Sequence, residues 1–222
     1  MMNFPAICVD NFYQDPDEIR DYALQLEYKP SADGSWPGLR SQPLHHTNIK
    51  MAATMCRKLF SVFYDLKNQP VTWEVTSYFQ KIYPMQGDAQ FKNTGWIHAD
   101  DNTTLAGLIY LSPNAKLSSG TSIFRLKPDS FILEKNEEKH AFFKGEAVDP
   151  VAYDRAISEH NNKFEETARF GNVYNRMIAY DGVDYHQASD FDCGEEFRLT
   201  QVFFIKNILA QHTPIARMNE YE

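Results

Sequence analysis

The chain contains a His-x-Asp triplet, His98-Ala99-Asp100, which follows Trp96-Ile97 and precedes an apolar run that begins at Thr103. In an extended chain, residues i and i+2 point to the same side. The imidazole of His98 and the carboxylate of Asp100 therefore reach one metal ion from one direction. The triplet by itself equally describes a surface histidine beside an aspartate. A third ligand is on offer in His186, within Asp184-Tyr185-His186-Gln187-Ala188. Two histidines and one carboxylate on one face leave the opposite coordination positions open. That suits ferrous iron, which has to hold a co-substrate and dioxygen together. Zinc more typically takes a tetrahedral set, although the ligands alone also admit it.

Twelve residues after His186 comes Arg198-Leu199-Thr200, inside the run Phe197-Arg198-Leu199-Thr200-Gln201-Val202-Phe203-Phe204. Read as a strand, it puts Arg198 and Thr200 on one face with Val202 and Phe204. Phe197, Leu199, Gln201 and Phe203 take the other face. An arginine on an apolar strand face is costly unless it meets an anion. Its planar fork grips a carboxylate in bidentate fashion, and a hydroxyl two residues on adds a further bond. A salt bridge to a core acid or a place at a sheet edge is the alternative for Arg198.

These residues need a scaffold of strands. Val71 to Tyr83, Thr103 to Leu111, Val173 to Tyr180 and Phe197 to Ile205 are rich in β-branched and aromatic residues. Loops, rather than regular helices, separate them, which points to an antiparallel sandwich or barrel. Ahead of them, Asp15-Pro16-Asp17-Glu18 is a helix start with Asp15 as N-cap, and Ile19, Tyr22, Ala23 and Leu26 form its apolar stripe. A second helix is expected over roughly Met51 to Leu66, with Met55, Leu59, Val62 and Phe63 on one face. Trp36-Pro37-Gly38-Leu39-Arg40 is a turn-rich loop. The polar stretch from about 128 to 170 includes the charge run Glu134-Lys135-Asn136-Glu137-Glu138-Lys139 and a capped helix expected from Asp149 to about Arg169. It reads as an insertion on the rim of the barrel, with its charge run facing solvent. The expected plan is one domain over residues 1–222: a mixed N-terminal part to about 70, a β core over about 71–127 and 171–208, and the insertion between.

Composition narrows the classes of function. The net charge is −8, from 22 basic and 30 acidic residues, with no positive stripe of the kind phosphate backbones require. Nucleic acid is therefore not an expected partner. Cys8, Cys56 and Cys193 are scattered without a C-x-x-C pair, which disfavours a disulfide framework or structural zinc. The opening Met1-Met2-Asn3-Phe4-Pro5 does not look like a signal peptide, and no run approaches the ~18 apolar residues of a membrane span. A cytoplasmic protein without a membrane is the expectation.

The order His98-x-Asp100, His186, Arg198-x-Thr200 resembles the iron(II)- and 2-oxoglutarate-dependent dioxygenases. Gly107-Leu108-Ile109-Tyr110-Leu111-Ser112, followed by Ser119-Gly120-Thr121-Ser122-Ile123-Phe124, is similar to the tyrosine-leucine strand and G-G-T-x-F turn of the prolyl-hydroxylase branch, with Ser119 in place of the first glycine. Val9 to Pro16 resembles the start of small bacterial and phage members. The resemblance spans about Tyr83 to Ile205 and implies a double-stranded β-helix, a cupin-like jelly roll, with N-terminal helices and an inserted polar arm.

It further implies iron(II) on His98, Asp100 and His186, with 2-oxoglutarate held at its distal carboxylate by Arg198 and Thr200. Tyr110 and Tyr83 match positions where that branch places tyrosines beside the co-substrate, although Tyr83 lies further from His98 than usual. The implied reaction hydroxylates a carbon of a peptidyl or small-molecule substrate with dioxygen, releasing succinate and carbon dioxide. Ascorbate is an accessory reductant that the resemblance allows. A metal- or ligand-binding jelly roll without turnover is the competing reading. Arg40 and Asn175 are substrate-contact candidates, from the N-terminal loop and the start of a core strand, and Arg176 is equally a surface salt bridge. His45-His46, His140, His160 and His212 read as ordinary polar positions.

Overall fold

A computed structural model describes residues 4–85, 92–132 and 137–215. In chain order its elements are β1 (Ile7–Val9), α1 (Pro16–Leu24), β2 (Tyr28–Pro30), β3 (Leu39–Ser41), α2 (Leu44–Thr47), α3 (Ile49–Phe63), β4 (Val71–Ile82), β5 (Leu105–Tyr110), β6 (Thr121–Leu126), α4 (Glu137–Lys144), α5 (Pro150–Asn161), β7 (Phe164–Phe170), β8 (Met177–Asp181), β9 (Tyr185–Ala188) and β10 (Arg198–Ala210). The strands form a seven-stranded sheet in the order β1-β8-β5-β10-β4-β3-β2 and a three-stranded sheet in the order β7-β6-β9. The pairs are antiparallel. His98 and His186 form one further antiparallel bridge, which adds the His98 segment to the free side of β9.

Two apolar layers follow from the period-2 pattern of the large sheet. Leu105, Ile109, Met177, Ala179, Leu199, Phe203 and Ile205 face outward onto α1 and α3, where Ile19, Ala23, Met55, Leu59 and Phe60 meet them. Leu108, Tyr110, Ile178, Tyr180 and Val202 face the small sheet, whose Ile123, Ala168 and Phe170 close the other side. Burying a large apolar side chain contributes roughly 1.5–3 kcal/mol. The helical layer thus holds the sheet from outside, and the space between the sheets stays available for polar chemistry. The helix starts follow their caps: Asp15 accepts from the Glu18 amide at 3.0 Å and Asn48 from the Met51 amide at 3.0 Å.

The polar stretch departs from expectation. Its second helix ends at Asn161, and Phe164–Phe170 is a strand of the small sheet, paired along β6. Glu165, Glu166 and Arg169 are exposed there because β7 is an edge strand. The last part of the expected insertion is therefore core scaffold. Glu134, Lys135 and Asn136 of the charge run lie outside the described residues. Residues 173–176 form a turn ahead of β8 and not its first residues, with Asn175 in the left-handed region at φ 61°. His45 and His46 sit in the short helix α2, their rings 4.2 Å apart. Among the described residues, no helix is long and apolar enough to cross a membrane.

Candidate metal and dicarboxylate site

His98 lies just before β5, in the segment that hydrogen-bonds β9. Its amide donates to the His186 carbonyl at 3.1 Å, and the His186 amide returns the bond at 2.8 Å. This two-bond bridge sets the rings side by side, with centroids 4.4 Å apart. Asp100 completes the group: its Oδ1 is 3.9 Å from His98 Nε2 and its Oδ2 is 3.6 Å from His186 Nε2. One donor atom from each of the three lies within 4.8 Å of the others. Both imidazoles are oriented from behind, His98 Nδ1 by the Trp96 carbonyl at 2.8 Å and His186 Nδ1 by the Asp184 carbonyl at 2.9 Å. With Nδ1 as the donor, each Nε2 presents a lone pair to the same point. Desolvation of the half-buried ring, and His186 alongside, lower the His98 pKa from its usual range. Asp100 Oδ2 is buried without a hydrogen-bond partner among the described residues. A buried carboxylate oxygen left unpaired between two Nε2 lone pairs fits a divalent ion.

A cavity opens from these ligands toward β10. Its walls include Gly107, Leu108, Thr121, Tyr180, Val202 and Arg198. Arg198 is fully buried, and burial lowers its pKa. Its Nε donates to the Ser119 carbonyl at 2.9 Å, and its Nη2 lies 3.4 Å from both the Gly120 carbonyl and Thr121 Oγ1. Among the described residues no carboxylate forms an ion pair with it. Tyr110 lies beneath the guanidinium at 5.3 Å and donates its hydroxyl to Thr121 Oγ1 at 2.9 Å. Two positions further along the strand, Thr200 Oγ1 is buried without a partner among the described residues. The turn that delivers Ser119 and Gly120 is close-packed: a Cβ on Gly120 would stand 1.8 Å from the Phe170 carbonyl oxygen, so only glycine fits. Ser119 Oγ donates to the Lys116 carbonyl, and its own carbonyl holds Arg198.

A model of a family of unknown function, DUF6445, matches residues 2–193. The chain belongs to DUF6445. Among curated proteins none matches it. Several solved structures share its fold. HygX from Streptomyces hygroscopicus, with nickel and 2-oxoglutarate bound, aligns over 91% of this chain and 83% of its own at 12% identity and a TM-score of 0.51. A prolyl hydroxylase from Trichoplax adhaerens, in complex with a hypoxia inducible factor oxygen degradation domain peptide fragment, aligns over 90% and 82% at 12% identity and 0.51. AviO1 from Streptomyces viridochromogenes Tue57 aligns over 93% and 91% at 11% identity and 0.51. These likenesses establish the architecture of this DUF6445 chain as a double-stranded β-helix.

The structure gathers His98, Asp100, His186, Arg198 and Arg40 around one cavity, with Tyr110 and Thr200 packed behind Arg198. Tyr83 is not part of it: the ring is 40% exposed and packs edge-on against Phe197, outside the cavity wall. Asn175 is elsewhere too. Its Oδ1 accepts from the Tyr13 amide at 2.7 Å and its Nδ2 donates to the Tyr13 carbonyl at 2.8 Å, so its side chain fastens the N-terminal segment to the core and is not directed at a substrate. Arg176 pairs with Asp10 on the surface at 2.6 Å.

Other contributors carry little sequence signal. Lys139, from the charge run, lines the cavity, and burial lowers its pKa. His160 and Asn161 end α5 against the ligand-bearing segment. His160 Nε2 meets the Ile97 carbonyl at 2.7 Å. Asn161 accepts from the Ile97 amide at 3.1 Å and donates to the Gly95 carbonyl at 3.0 Å and Gln187 Oε1 at 3.1 Å. These two side chains tie the segments of both histidine ligands to one helix end. A polar pair at a helix C-terminus is common enough that nothing in the sequence distinguishes this one.

Proposed function

We propose that this protein is an iron(II)- and 2-oxoglutarate-dependent oxygenase that hydroxylates a carbon of a small-molecule or peptidyl substrate, with release of succinate and carbon dioxide. The observation that carries the reading is Arg198: a wholly buried guanidinium with no acidic partner among the described residues, on the wall of the same cavity as His98, Asp100 and His186. A buried, unpaired charge is strongly unfavourable, and a dicarboxylate supplies the missing anion. Thr200 Oγ1, desolvated beside it, offers a further bond to that carboxylate.

His98, Asp100 and His186 are the residues that would hold the iron, which when bound would supply dioxygen activation. The protein's own part is positional. The two backbone-oriented imidazoles and Asp100 occupy one side of the metal position and leave the other open. Leu108, Val202 and Tyr180 keep the floor of the cavity apolar and exclude water from it. HygX was solved with nickel, 2-oxoglutarate and hygromycin B bound, and the Trichoplax prolyl hydroxylase in complex with a peptide fragment, which supports a small-molecule or peptidyl substrate on this fold.

Anaerobic addition of ferrous iron and 2-oxoglutarate to the folded protein should produce the weak visible absorption of the chelate, and under air succinate should form. A folded, metal-loaded protein that shows neither overturns the reading.

A further inference from the structure

One side of the cavity carries charge that neither the metal position nor Arg198 accounts for. Arg40, on β3, lies with its guanidinium against the rings of Trp36, Phe204 and Tyr78, at 4.6, 5.3 and 5.6 Å from their centroids. Its Nε donates to Gln80 Oε1 at 3.2 Å, while Nη1 and Nη2 make no hydrogen bond to the described residues. Lys139 reaches the same cavity from α4. Burial lowers both side chains' pKa values, Arg40 to about 10, and the charge of Asp100 acts on each in the opposite sense. A divalent ion and Arg198 together balance Asp100 and a dicarboxylate. Arg40 is then a positive charge on the cavity wall beyond that balance, in a protein whose net charge is −8.

The position of Arg40 is built in. Gln80, buried on β4, grips both ends of the Trp36–Arg40 loop, since its Nε2 donates to the Pro37 carbonyl at 2.7 Å. Gly38 turns the loop at φ 72°, and a Cβ there would stand 2.2 Å from the Lys81 carbonyl oxygen. β3 then pairs with β4 at Leu39 and Arg40. A guanidinium fixed this firmly, with its fork unbonded, is preorganised for a ligand.

We propose that the cavity takes a substrate bearing a carboxylate, gripped by Arg40, with an apolar or aromatic body laid along Trp36, Phe143 and Phe204. Rings around the guanidinium favour a planar, weakly hydrated oxyanion over a tetrahedral dianion, and the fork matches carboxylate geometry. The assignment deepens the oxygenase reading and rests on it for the identity of the second ligand: with 2-oxoglutarate on Arg198, Arg40 is left to choose the substrate.

The test titrates the full chain, loaded with manganese and saturating 2-oxoglutarate, with phenylpropionate, hexanoate and their carboxamides, followed by calorimetry and ligand-observed NMR. At least one carboxylate should bind about tenfold more tightly than its amide, the worth of one charge-assisted pair. R40M should erase that preference, R40K should recover part of it, and 2-oxoglutarate affinity should stay within about twofold in both. R198M should do the reverse. Equal binding of acid and amide, no carboxylate bound up to about 10 mM, or a preference that survives R40M in a protein with wild-type near-UV circular dichroism overturns the proposal. If R40M does not fold, a wild-type preference for acid over amide in R40K does the same. Should 2-oxoglutarate fail to bind while an Arg40-dependent preference persists, the oxygenase reading falls and the anion site stands.

Discussion

The two faces of β10 carry similar residues to different ends. On the outer face Leu199, Phe203 and Ile205 pack against the helices, and the polar residue among them, Gln201, is fully used. It accepts from the Tyr13 hydroxyl at 2.6 Å and donates to Ser77 Oγ at 3.2 Å. On the inner face Val202 and Phe204 sit beside Arg198 and Thr200. There, among the described residues, the threonine hydroxyl has no partner and the arginine no acid. Buried polar groups in a finished core are satisfied. A buried arginine without an acid on the wall of a cavity, with an unbonded hydroxyl packed behind it, marks where something else binds. The same strand therefore separates structure from function by how completely its buried polar groups and charges are partnered, residue by alternate residue.

Substitutions on each face sharpen or break that contrast. Phe203→Ala, on the outer face, should cost about 3–5 kcal/mol in denaturant unfolding and leave the 2-oxoglutarate affinity of the folded fraction unchanged. Arg198→Met, on the inner face, should weaken 2-oxoglutarate binding by about a hundredfold with a melting temperature unchanged or raised, because it removes a buried charge that no acid among the described residues pairs. A fall in stability as large as that of Phe203→Ala would erase the distinction.

The polar pair makes a closer comparison. Gln201→Leu strands the Tyr13 hydroxyl and should cost about 1–3 kcal/mol, whereas Thr200→Val should be neutral or slightly stabilising and lower 2-oxoglutarate affinity a few-fold. The smallest effect lies away from both faces. Hydrogen bonds from Ser35 and Ser31 hold the Asp33 carboxyl at about 2. Its folded pKa is depressed, so its contribution is complete above the unfolded value of about 3.9 and is lost as pH falls toward 2. NMR titration should show that loss in the loop, and D33N should remove it. The carboxyl is exposed, so global stability should hardly move.

Much of the site was legible because strand periodicity is strict. His98 and Asp100 at i and i+2, and Arg198 and Thr200 at i and i+2, needed only an extended backbone to share a face. The N-caps of α1 and α5 and the strands β4, β5, β8 and β10 were legible for the same local reasons. What stayed hidden depends on distant partners. β7 carries two glutamates and an arginine outward, so its alternation lacks an apolar face strong enough to compete with the preceding helix. Asn175 follows Val173 and Tyr174, strand-forming types, and reads as strand, but its left-handed turn is held by its bonds to Tyr13. Tyr83 matched a pattern whose spacing was already long, and the chain turns it outward. Lys139 was one charge in a run of charges until α4 placed it on the cavity.

The bridge between His98 and His186 also has a kinetic side. It joins positions 98 and 186, 88 apart in sequence, and spans the whole of α4 and α5. Helices close quickly and locally, while a strand contact of this separation bears the full loop-closure entropy before anything rewards it. The ligand set is therefore expected to complete late, when β9 docks on β6. An ion that binds only the completed set would then stabilise the small sheet by mass action. Metal added before refolding, or only after it, would tell whether the ion follows that docking or holds it in place.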